Sequence, residues 1–227
     1  MSSLNRTAAL TVAATTGIIG VSFGALAVAA GIAPVVACAM SLVVFAGGAQ
    51  LAATSVLGSG GSPVAAVASA LLLNSRYVGF GLAVAPRFAG VSPRMRAVAA
   101  HLLIDESGAL ALAERDPQQA QAAFWTSGVA VFVLWNLGTA IGAFAGSALG
   151  DPAVLGLDAA CPAAILALLV PQLAGRRARV AALVGGGVAL AASLVLPPGL
   201  PVLCAIAAPI LARWVPEARA AAEGGAS

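Results

Sequence analysis

Three groups of residues have types and spacing that could carry chemistry. The first is Arg76, in Leu71-Leu-Leu-Asn74-Ser-Arg76-Tyr77. Its apolar stretch, residues 63–86, continues well past it on both sides, so its side chain cannot easily reach water. An ionisable group at mid-membrane costs at least about 2.5–3.5 kcal/mol on insertion scales, which makes such a residue a functional candidate. The planar guanidinium fork suits a carboxylate, from the protein or from a substrate. The second group is Asp105-Glu106, in His101-Leu-Leu-Ile-Asp105-Glu106-Ser. Read as one helix, 97–113 puts His101 and Asp105 on one face. One carboxylate is expected to pair with Arg76 and the other to take up and release a proton. The alternative is a buried ion pair that only fixes helix register, with His101 at the membrane interface. The third group is Gly47-Gly48-Ala49-Gln50 and Pro171-Gln172. Broken helices free backbone N–H groups, which together with a positive helix end can hold a carboxylate; the alternative is a kink that serves packing. Asn74, Tyr77, Gln50 and Gln172 supply further polar contacts for a substrate.

Other chemistry has little support. Gly20-Val-Ser22-Phe-Gly24 matches G-x-S-x-G, but lies in an apolar helix rather than a strand-to-helix turn. There is no H-E-x-x-H, and the absence of Lys excludes a P-loop. Cys38, Cys161 and Cys204 sit in apolar stretches without C-x-x-C spacing and read as small hydrophobes rather than metal ligands or disulfides. The basic residues, all Arg, do not cluster with aromatics, which argues against nucleic acid. No enzyme, cofactor or metal is expected.

The elements that position these residues follow from composition. Of 227 residues, 61% are hydrophobic and 8% charged, with mean hydropathy +1.02; a soluble domain carries about 25% charged residues. The expected fold is therefore an all-α integral membrane protein, a single domain over 1–227. Apolar stretches run at 8–30, 34–57, 63–86, 97–113, 121–149, 159–174, 180–196 and 200–215, separated mostly by Pro and Gly. Residues 1–29 could imitate a signal peptide, but the apolar segments that follow make them a first membrane helix. If all eight stretches crossed, the Arg87, Arg94, Arg96 loop would oppose Arg6 and the Arg176, Arg177, Arg179 loop, against the enrichment of Arg in cytoplasmic loops. Treating 34–57 and 159–174 as re-entrant or broken leaves six spans and places both termini in the cytoplasm, with only Arg115 outside. Asp158 then reads as a helix cap. Weak similarity between Gly24-Ala-Leu-Ala and Gly142-Ala-Phe-Ala, and between Ala49-Gln-Leu-Ala and Pro171-Gln-Leu-Ala, suggests repeats over 8–96 and 121–196, inverted in this topology. Gly138, Gly142, Gly146 and Gly150, like Gly20 and Gly24, have the four-residue spacing that lets helices approach closely.

Val21-Ser-Phe-Gly-Ala-Leu, Phe45-Ala-Gly-Gly-Ala-Gln50, Leu72-Leu-Asn-Ser-Arg76-Tyr77, His101-Leu-Leu-Ile-Asp105-Glu106-Ser, Trp135-Asn-Leu-Gly-Thr139, Gly156-Leu-Asp158 and Leu169-Val-Pro171 together resemble the AzlC family of branched-chain amino acid exporters, over about residues 17–214. The resemblance implies secondary active export of branched-chain or similar hydrophobic amino acids across a prokaryotic cytoplasmic membrane. It also implies a small AzlD-like membrane subunit as partner. Tyr77 departs from the family, which often has a basic residue or His there, and so bears on substrate preference. Proton coupling through Asp105 or Glu106 is expected. The competing readings are a passive channel, a structural or regulatory subunit of a membrane complex, and an intramembrane protease, which would need Ser22 and His101.

Overall fold

The computed structural model describes residues 3–148, 166, 169–196 and 200–205. Among them every regular element is helical, as lipid demands of a chain that must satisfy its own backbone. The protein is an all-helical membrane protein of two compact units, Met1–Ala164 and Ile165–Ser227.

The first unit contains α1 (Ser3–Ala29), α2 (Pro34–Val44), α3 (Gly47–Gly58), α4 (Pro63–Asn74), α5 (Arg76–Val84), a 3₁₀ turn (Ala85–Phe88), α6 (Pro93–His101), α7 (Asp105–Ala113) and α8 (Pro117–Ala148). Local sequence sets these boundaries. Pro34, Pro63 and Pro93 open α2, α4 and α6, where a missing N–H costs nothing. Ser62 and Ser92 accept hydrogen bonds from Ala65 N at 3.2 Å and Met95 N at 3.5 Å, capping α4 and α6. α1 and α3 end in Gly31 and Gly60, at φ +83° and +81°. There Ile32 N reaches Ala27 O, and Gly61 N reaches Val56 O, a closure that needs a residue without Cβ.

Among the described residues, three helices are long and apolar enough to cross a membrane: Thr7–Ala29, Pro63–Phe88 and Pro117–Ala148. The second joins α4, α5 and the 3₁₀ turn; Ser75, between the first two, keeps helical angles. α1 and α8 pack backbone to backbone through glycine. A Cβ on Gly20 would stand 2.7 Å from Trp135 O, and one on Gly24, Gly138 or Gly142 would overlap the facing backbone at Thr139, Gly17 or Val21. Along the contact Gly17 faces Leu134 and Gly138, Val21 faces Gly142, and Ala25 faces Gly146. The numbers rise together, so α1 and α8 are parallel. The inverted topology makes these two helices antiparallel, and the packing corrects that expectation for this pair.

The cause is visible in the two short helix pairs. α2 begins four residues beyond Ala30, and at the end of α3 a Cβ on Gly58 would lie 3.3 Å from Ala30 Cβ. The pair α2–α3 thus enters and leaves at the end where α1 finishes, here called the top. At the opposite end, the base, Arg87 donates to Glu114 O at 3.4 Å and accepts from Gln121 Nε2 at 2.6 Å on its own carbonyl. α6 starts six residues after Arg87 and α7 ends next to Glu114. The pair α6–α7 therefore enters and leaves at the base. Each of its helices has nine residues, about 13 Å of rise and half a bilayer core. Residues 97–113 are consequently a re-entrant hairpin rather than a crossing. One crossing, Pro63–Phe88, separates α1 from α8, which makes them parallel.

In the second unit a 3₁₀ turn (Val170–Ala174), α9 (Arg176–Ser193) and α10 (Leu200–Cys204) are described, and α9 packs on α10. Most of the expected 159–174 segment, with Asp158 and Cys161, lies outside the described residues.

Candidate functional site

The two hairpin tips meet halfway along the unit. The chain between α2 and α3 turns at Phe45, which is left-handed at φ 39°, and at Ala46, at φ −143° and ψ 85°. The sequence places this break at Gly47-Gly48; it falls two residues earlier, and the glycines open α3. Their job is close approach: a Cβ on Gly47 would lie 2.8 Å from the Trp135 ring, and one on Gly48 would lie 3.3 Å from Arg76 Nη2. A side chain at Gly47 would force the Trp135 ring aside, whereas at Gly48 a small side chain needs the guanidinium to give by only a few tenths of an ångström. No side chain caps this end, so its first-turn N–H groups have no intrahelical partner, and Gly48 among them lies beside the guanidinium.

The second tip breaks at Leu102–Ile104, with Ile104 extended at φ −127°, ψ 175°. The Ser107 hydroxyl holds it, accepting from Ile104 N at 3.0 Å and donating to Leu102 O at 2.8 Å. Asp105 and Glu106 stand in the first turn of α7, where the helix dipole favours negative charge. His101 and Asp105 thus belong to different helices and share no helix face, a correction forced by the break. His101 ends α6 at the deep end of the hairpin rather than near its mouth. It packs against Phe45 (6.0 Å between ring centres) and Phe132 (5.7 Å). Phe45 also meets Phe132 edge to face at 4.9 Å, so aromatic rings join the tips to α8.

Between the tips, Arg76 Nη2 binds Asp105 Oδ2 at 2.8 Å. Arg76 sits midway along Pro63–Phe88, so the pair lies far from both ends of that helix. It is neither sealed nor at a free surface: the side chains are 30% and 37% exposed. Tyr77 adds to it, accepting from Arg76 Nη2 at 3.4 Å with its ring centre 5.2 Å from the guanidinium carbon. Glu106 follows Asp105 and is half-buried.

Several nearby polar atoms are buried without a partner, among them Arg76 Nε, Asn74 Oδ1 and Gln50 Nε2. Gln50 is almost wholly buried, and its Oε1 accepts from Trp135 Nε1 at 3.2 Å; Trp135 in turn stacks on Phe23 at 5.8 Å. Buried polar groups are normally satisfied, so unpaired donors and acceptors grouped around an ion pair are suited to a polar guest. Gly47, Gly48, Gln50, Asn74, Arg76, Tyr77, Asp105 and Glu106 all fall at or beside this point. Pro171 and Gln172 lie in the 3₁₀ turn of the second unit, and their side chains are outside the described residues. Sequence reasoning did not single out Trp135, Phe45 or Ser107. A polar pair, Trp135-Asn136, set in the apolar run Val129–Leu137 was the available signal for the first. Among the described residues no cluster of His, Cys, Asp and Glu could hold a metal.

A family model described as AzlC protein matches residues 11–149. This span contains both hairpins, the ion pair, the crossings Pro63–Phe88 and Pro117–Ala148 and most of Thr7–Ala29, while Gly156–Asp158 and Leu169–Pro171 fall beyond it. A relative described as an uncharacterized membrane protein, from Archaeoglobus fulgidus, is 30% identical over 196 residues, 85% of each chain. No solved structure matches.

Proposed function

The chain belongs to the AzlC family of membrane proteins, a family associated with branched-chain amino acid transport, and from that premise we propose that it exports branched-chain or similar hydrophobic amino acids by proton-coupled alternating access. The observation that carries the proposal is the Arg76–Asp105 pair at the junction of two hairpins that open to opposite ends. An amino acid is a zwitterion. Its carboxylate would take the Arg76 fork and the free N–H groups at Gly47 and Gly48. Its ammonium would take Asp105. Inserting a zwitterion into an ion pair leaves the net charge of the site unchanged, so the low-dielectric surroundings do not forbid it. Gln50, Asn74 and Tyr77 would orient the substrate. Each aliphatic CH₂ removed from water adds about 0.8 kcal/mol. Asp105 or Glu106 would carry the proton.

The hairpins supply the two gates that alternating access needs, one from each end. The base carries Arg87, Arg94, Arg96 and Arg115, whereas the Ser59–Ser62 turn at the top carries no basic residue. This asymmetry supports a cytoplasmic base and N-terminus in the cytoplasmic membrane. Arg115, the exception in the six-span topology, then falls inside with the others. A small AzlD-like membrane subunit is the proposed partner. The test is leucine or valine efflux from loaded cells expressing Arg76→Gln at matched membrane abundance. Loss of efflux is expected; wild-type efflux would remove Arg76 from the pathway.

A further inference from the structure

Between the ion pair and the base, α5, the 3₁₀ turn, α6 and α8 border a half-open cavity of about 170 Å³. Gly81, Val84, Phe88, Leu103 and Phe124 line it, and Arg96 is the one charged residue in its wall. Its inner end is Leu103, two residues from Asp105 and in contact with α5, where a Cβ on Gly81 would meet Leu103 Cδ2 at 3.6 Å. Its outer end belongs to the Arg-bearing base. The Arg96 side chain makes no hydrogen bond or ion pair among the described residues, and the residue is exposed.

We infer that this cavity is a second binding site, a vestibule for a small aliphatic carboxylate on its way to the ion pair. Two features select that ligand class. The walls are apolar apart from Arg96, and an apolar cavity of roughly 150 Å³ accepts a benzene-sized guest, so a branched four- or five-carbon chain fits. Arg96 offers a fork for one carboxylate, and no acidic residue lines the cavity to receive an ammonium. The vestibule therefore reads the carboxylate and the tail, while the ion pair beyond Leu103 reads both charges of a zwitterion. Phe88 and Phe124, set edge to face at 5.0 Å, form its firm wall. Leu103, at the hairpin tip, separates the two sites and would move with the hairpin.

The inference rests on the transport reading, but its test is separable. The probe is radiolabelled 4-methylpentanoate, which has the tail and carboxylate of leucine and no ammonium. Binding is measured by equilibrium dialysis on the full chain in nanodiscs of zwitterionic lipid. Saturable binding is expected, displaced by leucine. It should be retained in Arg76→Gln and weakened about tenfold or more in Arg96→Gln, the loss expected for one hydrogen bond to a charged group. Ala99→Phe, which adds bulk to another lining position, should also reduce it. No saturable binding, or equal binding by Arg96→Gln, would overturn the vestibule while leaving the Arg76 site standing. Much tighter binding of laurate, or displacement by anionic phospholipid alone, would assign the cavity to a lipid chain and equally overturn the inference.

Discussion

Separating Arg76 from Asp105 should reveal whether their pair stabilises the protein, serves the substrate, or does both. Arg76→Gln leaves a carboxylate without its cation, and Asp105→Asn leaves a cation without its carboxylate. With the side chains 30% and 37% exposed, the coupling should fall at about 2 kcal/mol, between the roughly 0–1 kcal/mol of an exposed pair and the roughly 3–5 kcal/mol lost on breaking a buried one. The double variant keeps two neutral amides that can hydrogen-bond to each other. Its stability should therefore lie above that of either single variant. The assay is unfolding of purified protein in mixed micelles by titration with denaturing detergent, read by circular dichroism, alongside leucine transport in proteoliposomes. All three variants should fail to transport, although the double variant regains stability. Single-variant losses that add to the double within about 0.5 kcal/mol would mean the groups do not interact. Transport by the double variant would refute the assignment of the charges to the substrate.

Three further outcomes follow from the packing. Ala30→Cys with Gly58→Cys should form a disulfide spontaneously in an otherwise Cys-free chain, because their Cβ positions lie 3.3 Å apart, close to the usual separation of about 3.8 Å; a crossing 34–57 segment would hold them a bilayer apart and give none. Gly20→Ala should lower stability by about 1–3 kcal/mol through overpacking against Trp135 O, whereas Gly79→Ala, with no atom within 4 Å of its new methyl group, should not; equal thermal shifts would contradict the parallel α1–α8 contact. Ser59→Cys and Ser62→Cys should react with a membrane-impermeant thiol reagent added to intact cells, and Ser92→Cys only after permeabilisation; the reverse pattern would invert the orientation.

Membrane residence and the principal charged residues were legible because an Arg and two acids in hydrocarbon stand out against apolar neighbours. The break near Gly47-Gly48 was legible from the glycines, although the turn uses Phe45, a residue with no sequence signal for a left-handed conformation. The break at Leu102–Ile104 was not, because neither Gly nor Pro marks it. It is made by a serine hydroxyl that bridges two backbone groups across the turn. The available clue was that Asp105, Glu106 and Ser107 are residue types that begin helices. Reading 97–113 as one crossing followed from its length and apolarity, and that miscount reversed the expected sense of α8. The apolar wall around Leu103 carried no signal either, since its members come from three helices and look like any lipid-facing residues.

The central claim, that the substrate carboxylate binds at Arg76 beside the α3 N-terminus, is tested most directly at Gly48. In a chain with Cys38, Cys161 and Cys204 replaced, Gly48→Cys places its Cβ 3.3 Å from Arg76 Nη2. The rate of its modification by a small methanethiosulfonate reagent should fall several-fold in saturating leucine and be unaffected by a non-substrate amino acid such as glutamate. A rate untouched by leucine, in a variant that still transports leucine, would place the substrate elsewhere.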